Sequence, residues 1–549
     1  MRLRLPALLA ALILIVSTAF EGQAQEATDF DKAVEGLERQ AGLLPVYADT
    51  AKGRVLFELP AADPETGIAA SFIYVEYLRA GLGSNPVGLD RAQNGSEQLV
   101  YFRRLGERIF IEAQNTRYIA SAENPLERKA VKQSFAKSIL WSGKIMAEAA
   151  DGRILLDMSG FLLRDAHGIA QRLKARRQGS FKLAKDLSAV DAAASLVFPE
   201  NLELEAILTF TSSEPGPEVR ATTPEPGHLS LRMHHSFIKL PGPGYKMRAG
   251  DQRAGVIAMP VGDYSVPLDQ PITRRVALRH RLEKINPGRA PSRVKEPIIY
   301  YVDPGAPEPV RTALIEGASW WAAAFEEAGF IDAYRVEVLP PGAHPLDARY
   351  NIINWVHRQT RGWSYGASII DPRTGEIIKG NVLLGSLRVR QDRMIFEGLL
   401  GTAQSGKGGP NDPVQIALTR IRQLSAHEVG HTLGFLHNMA ASTYGGRASV
   451  MDYPAPEVRI LADGSFDLSN AYGVGVGSWD KFIVKYLYAE TPPGEDEAGM
   501  LDAIVAEAIA AGLVYVGDPD SRPRGSAHPL GNLWDTGEEP VASLEHMMT

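Results

Sequence analysis

The stretch Ser425-Ala-His427-Glu428-Val-Gly-His431-Thr-Leu-Gly434-Phe-Leu-His437-Asn438 constrains this chain more than any other. It reads His-Glu-x-x-His-x-x-Gly-x-x-His. On a helix, His427 and His431 lie one turn apart on the same face, close enough for both imidazoles to bind one cation. Glu428 follows His427 directly and reaches a water on that cation without being a ligand itself. A continuing helix would carry His437 ~80° round and ~15 Å along from His427, out of reach. The helix therefore has to stop and the chain has to turn back. Gly434 permits this, because it takes the left-handed conformation that ends a helix without a Cβ penalty.

Chance does not account for the motif. At this chain's His and Glu frequencies, a bare His-Glu-x-x-His arises in roughly 2% of such chains, and adding the Gly and third His lowers that to about a few in 100,000. His427, His431 and His437 are therefore read as ligands of one zinc ion. Downstream lies Ala448-Ser449-Val450-Met451-Asp452-Tyr453-Pro454. The extended His motif followed by a turn carrying Met resembles the metzincin metalloproteases, in which that turn lies beneath the zinc site. The resemblance gives Met451 that place. It gives Tyr453, two residues on, the position of a tyrosine that approaches the zinc or the reacting oxyanion.

At 549 residues the chain is long enough for two or three domains. Its 45% apolar and 22% charged residues are ordinary for a soluble globular protein, and a net charge of −7 with interspersed signs gives no footprint for nucleic acid. With no cysteine, it has neither disulfides nor a cysteine-type latency switch on the metal. Met1-Arg2-Leu3-Arg4, an apolar run from Leu5 to Phe20 and the small residues Gly22 and Ala24 read as a signal peptide over 1–24. Export to a bacterial periplasm or beyond is expected, with no later segment that spans a membrane. Oligomeric state is not legible.

Residues 25–285 read as short strands bounded by Gly, Pro and Asn, which favours an antiparallel β domain. His234 and His235 are adjacent, so on a strand they point to opposite faces and are ordinary structural histidines. Residues 286–297, rich in Pro, Gly and charge, are expected as a linker. From 298 the pattern becomes α/β: a strand to Val302, one long helix from Pro307 to Ala328, strands at 335–339 and 350–356, a turn at 371–376 and a strand at 377–384. Asp412 caps the motif helix, with Pro413 at its first position. The expected fold class is thus α+β. A metzincin-like catalytic domain (298–434 upper, 435–549 lower) follows a mainly antiparallel β domain.

Trp320-x4-Phe325-Glu326-x-Ala328-Gly329-Phe330, Asp371-Pro-Arg-Thr-Gly-Glu376, His427 to Ser442 and Ser449-Val-Met-Asp-Tyr-Pro454 carry a closer resemblance. They resemble a bacterial family of large exported zinc-dependent metalloproteases with an uncharacterised β-rich domain ahead of the protease. His234-His235-Ser236 and Leu240-Pro241 resemble a signature of that preceding domain. Related proteins tend to continue beyond a segment like Trp534 to Pro540, whereas this chain ends at Thr549. The resemblance implies a protein or peptide substrate, hydrolysed by zinc-activated water with Glu428 as general base. Substrate would lie along an edge strand, expected at Gly380 to Ser386. Two alternatives remain at this point: a zinc hydrolase of another amide or ester, and a catalytically silent zinc-bearing binding protein.

Overall fold

In the computed structural model, residues 29–492, 494–526 and 528–549 are described; the segment read as a signal peptide lies outside them. Among the described residues, an antiparallel sheet of 12 strands dominates the N-terminal region. Its strands are longer than the sequence pattern suggested. Ile68–Ala80 runs 13 residues, and Asn201–Thr211 and His228–Ile238 run 11 each. The longer span arises because polar residues between the apolar ones stay in the ladder. His234 and Glu205, for example, pair in register at its centre. His234 and His235 do take opposite faces. His234 bonds Glu203, while His235 bonds the Tyr74 hydroxyl at 2.8 Å and the Leu162 carbonyl at 3.1 Å. The fold class is α+β, as the pattern indicated.

The C-terminal half is built on a second sheet. Strands β1 (Ile298–Val302), β2 (Tyr334–Val338), β3 (Asn351–Val356), β4 (Tyr365–Ile370) and β5 (Glu376–Gly385) form it, together with the short strand Arg279–His280. The order is 279–280, β5, β3, β1, β2, all parallel, and β4 pairs antiparallel with β5. Strand β5 therefore lies inside the sheet, and the edge strand expected at Gly380 to Ser386 is instead β4. Segment 286–297 carries the strand Ser292–Arg293, paired with Phe330–Ile331, and Val294 belongs to the main core.

The helix expected from Pro307 to Ala328 is two: α1 (Val310–Ser319) and α2 (Trp321–Glu327). The break at Trp320 is slight: its backbone keeps helical angles (φ −58°, ψ −29°) and its amide donates to Gly317 O at 3.1 Å. Gly317 sits so close to the motif helix that a Cβ there would lie 2.0 Å from the Arg422 carbonyl. Trp321 is buried in the core, where its Nε1 donates to Ala426 O at 2.8 Å. Burying such a side chain contributes on the order of 2–3 kcal/mol. Helix α3 (Leu387–Leu400) has no counterpart in the sequence reading. Only Asp392 and Phe396 of its residues are buried, so it shows little apolar periodicity.

Helix α4 (Pro413–Thr432) carries the motif. Asp412 caps it, accepting from Val414 N at 2.9 Å. It is followed by α5 (Ser478–Tyr488) and α6 (Glu497–Ala510). One core cluster unites α1, α2, α4 and α5 with Met451 and, from the chain before β1, Ala254, Val256, Ala277 and Leu282. No helix of the described residues is long and apolar enough to cross a membrane.

Candidate metal centre

Three features of the local fold aim the histidines. Helix α4 places His427 and His431 one turn apart, with ring centroids separated by 5.0 Å. Gly434, at φ +105°, then turns the chain back. The returning segment is held by pairing with residues far upstream: Leu436 N donates to Gly255 O and Ile257 N to Gly434 O, both at 2.8 Å. His437 follows, and Asn438 anchors the exit by accepting from Ala440 N and Val516 N at 3.1 Å each.

The three rings share one arrangement. Each Nδ1 donates outward, His427 to Val450 O at 2.8 Å, His431 to Phe435 O at 2.8 Å and His437 to Asp518 Oδ2 at 2.6 Å. That fixes the tautomers and leaves three Nε2 lone pairs facing inward. One ring nitrogen from each residue lies within 4.8 Å of the others, and the His431 and His437 Nε2 atoms are 3.0 Å apart. A tetrahedral zinc with Zn–N of about 2.0–2.1 Å needs neighbouring nitrogens about 3.3 Å apart, so the donor set fits that ion. Burial, then the neighbouring imidazoles, hold His427 well below the usual histidine range and His431 down to about 4. Both are thus neutral ligands at ordinary pH.

Beneath the rings lies the turn at Met451. Gly430 makes the approach possible, since a Cβ there would lie 2.3 Å from Met451 Sδ and 2.7 Å from the Trp321 ring. Buried Asp480 holds the turn, accepting from Ser449 Oγ at 2.5 Å and from Val450 N at 2.9 Å. Tyr453 packs its ring on two of the histidines, at 5.2 Å from His427 and 4.7 Å from His437. Burial raises its pKa, so its hydroxyl keeps the proton.

Glu428 is 4% exposed. Burial pushes its carboxyl up to about 8, against the pull of the Arg420 guanidinium, the Gly366 amide and Arg358. Gly366 belongs to β4 and has no room for a side chain, because a Cβ would lie 2.1 Å from Glu428 O and 3.1 Å from His431 Cβ. The edge strand therefore runs directly beside the motif.

Sequence reasoning missed Asp518, Arg522 and Trp534. Burial pushes Asp518 up, but its bonds from His437 and Arg522 outweigh this and leave it lowered. Arg522 bonds Asp518 and lies over the Tyr453 ring at 4.9 Å, and Trp534 packs on the same ring at 5.6 Å. No local spacing marks these residues. Asp518→Asn is expected to keep the fold but bind zinc about 10–100-fold more weakly, the usual cost of losing a carboxylate behind a ligand histidine. Chelator competition measures it, and unchanged affinity would mean that Asp518 does not support His437.

Comparison with known proteins agrees with this geometry. Residues 409–549 match the family described as Met-zincin, and residues 92–285 match a domain of unknown function. No curated protein matches the chain. The match, the His triad and the buried Met451 turn together support a metzincin-type domain in the C-terminal part. Its class is metalloprotease-like, with His427, His431 and His437 as the residues that can hold a metal.

Proposed function

We propose that the chain is a zinc-dependent endopeptidase. The observation that carries this reading is the convergence of three inward-facing imidazole nitrogens, with the buried carboxylate of Glu428, outside that set, next to His427 in the chain and close enough to act on the Tyr453 hydroxyl. A purely structural zinc site needs no such base. When bound by His427, His431 and His437, zinc supplies Lewis-acid polarisation and brings the pKa of a coordinated water toward ~7.

The rest of the chemistry falls to the chain's own groups. Glu428, whose carboxyl the double charge of a bound metal would hold ionised against its dry surroundings, would take the proton of the attacking water and pass it to the leaving amine. Its displacement from the ligand set lets it do both. Tyr453 keeps its hydroxyl proton and donates it toward the oxyanion that develops on the scissile carbonyl. An extended peptide lies along the edge of β4, its backbone bonding in the manner of another strand.

An unfolded protein substrate tests the reading directly. Cleavage is expected from the zinc-loaded chain, to vanish on metal removal and to return on zinc addition. A fully loaded chain that cleaves no peptide would turn the reading toward another amide or ester, or toward a binder.

A further inference from the structure

Two carboxylates of the N-terminal β region reach the two ends of β4. At its first residue, the Tyr365 hydroxyl donates to Asp90 Oδ2 at 3.0 Å. Asp90 Oδ1 also forms an ion pair with Arg358 Nε at 3.0 Å, and the two side chains are 0% and 2% exposed. At the last residue, the Ile370 amide faces the Glu97 carboxylate. Among the described residues Arg358 forms no other ion pair, though its charge also acts on the Glu428 carboxyl; its Nη1 donates to Trp363 O at 3.1 Å.

The loop that carries Asp90 is keyed into the segment leading to β4. Gln359 N donates to Gly83 O at 2.8 Å, and Asn85 N donates to Thr360 Oγ1 at 2.9 Å. Gly362 admits Asn85 because a Cβ there would lie 2.0 Å from the Asn85 Oδ1. Strand β4 has a ladder partner on one side only, β5. Its Gly, Ala and Ser residues pack little and hold a strand weakly by themselves. Beyond its ladder with β5 and its contact with α4, the strand is thus anchored at its ends from outside its own domain.

We propose that Asp90 is a positioning residue for peptide binding: through Arg358 and Tyr365 it holds β4 in line with the His triad. The N-terminal β region is then a working wall of the cleft and not a segment that leaves it on activation. This rests on the peptidase reading, because β4 matters to catalysis only if substrate lies along it.

Asp90→Asn in the full chain tests the proposal. Zinc content and backbone exchange in α4 are expected to stay as in the wild type, while amides of 363–370 exchange about tenfold faster. KM for a long peptide should rise about tenfold with kcat nearly unchanged, and a tripeptide should show no such rise. Unchanged exchange in β4 would overturn the proposal, as would an equal loss on long and short substrates through kcat alone. If the wild type cleaves no peptide, the peptidase reading fails while the exchange measurement still decides whether Asp90 holds β4. Should Asp90→Asn not fold, Tyr365→Phe removes only the hydroxyl. It is expected to shift exchange and KM about threefold in the same direction, and no shift would overturn the proposal.

Discussion

Glu428→Gln is expected to keep its zinc and its fold while losing about 10²–10⁴-fold in peptide hydrolysis. Glutamine preserves the size and most of the hydrogen bonding but cannot take a proton from water. Because in the proposed mechanism the same carboxyl also protonates the leaving amine, the loss should lie toward the upper end. The variant should differ in a second way once the metal is stripped. In the folded chain burial raises this carboxyl from 4.5 to about 8, so the folded state binds the proton more tightly than the unfolded state. Metal-free stability therefore falls as pH rises from about 4.5 through about 8, by up to about 1.4 kcal/mol per pH unit. At pH 7 the substitution should stabilise the stripped protein by about 3 kcal/mol and flatten that slope. Urea unfolding between pH 5 and 9 reads both. Equal cleavage by the two proteins would remove Glu428 from the mechanism, and identical slopes would mean that its carboxyl is not buried in the stripped state.

Gly434→Ala is expected to weaken zinc binding by at least about 100-fold, beyond what loss of a supporting partner costs. Two effects act together. The backbone sits at φ +105°, which side chains with a Cβ rarely adopt, and the added carbon would lie 2.2 Å from the Leu278 carbonyl. Neither contact nor conformation can be relieved without moving the segment that aims His437. Gly401→Ala separates the two effects, since Gly401 has φ +86° and nothing within 4 Å of an added Cβ. It should cost only conformational strain and leave zinc affinity as it is. If both variants bind zinc as the wild type does, the reversal at Gly434 is not what places the third ligand.

The metal centre was legible because its geometry is written into short intervals. His427 and His431 need only a helical turn, and Gly434 and His437 need only an end to it. Asp518 stands 81 positions from His437, alone in a polar stretch, and no period marks it. Asp90 is in the same situation relative to Arg358. The edge strand was assigned to the wrong segment for a related reason. Tyr365–Ile370 contains Gly, Ala and Ser, a weak strand signal, whereas the apolar run that follows reads strongly because it is buried inside the sheet. The break at Trp320 is hidden because Trp320 keeps helical angles, so the apolar spacing runs through it uninterrupted.

The pairing of Val256 with Phe435 has a consequence for how the protein comes into being. It joins positions 179 apart (435 − 256). Helix α4 with its two histidines needs only local bonds, and such contacts form on the microsecond scale or faster. Closure over so long a span is among the slower events in a chain of this kind. A state in which that pairing is open therefore offers two helical imidazoles while the third is not held in place. Such a site grips divalent ions weakly and discriminates among them poorly, because affinity order alone then decides which ion enters. Choice of metal is thus tied to closure of the bridge between Val256 and Phe435.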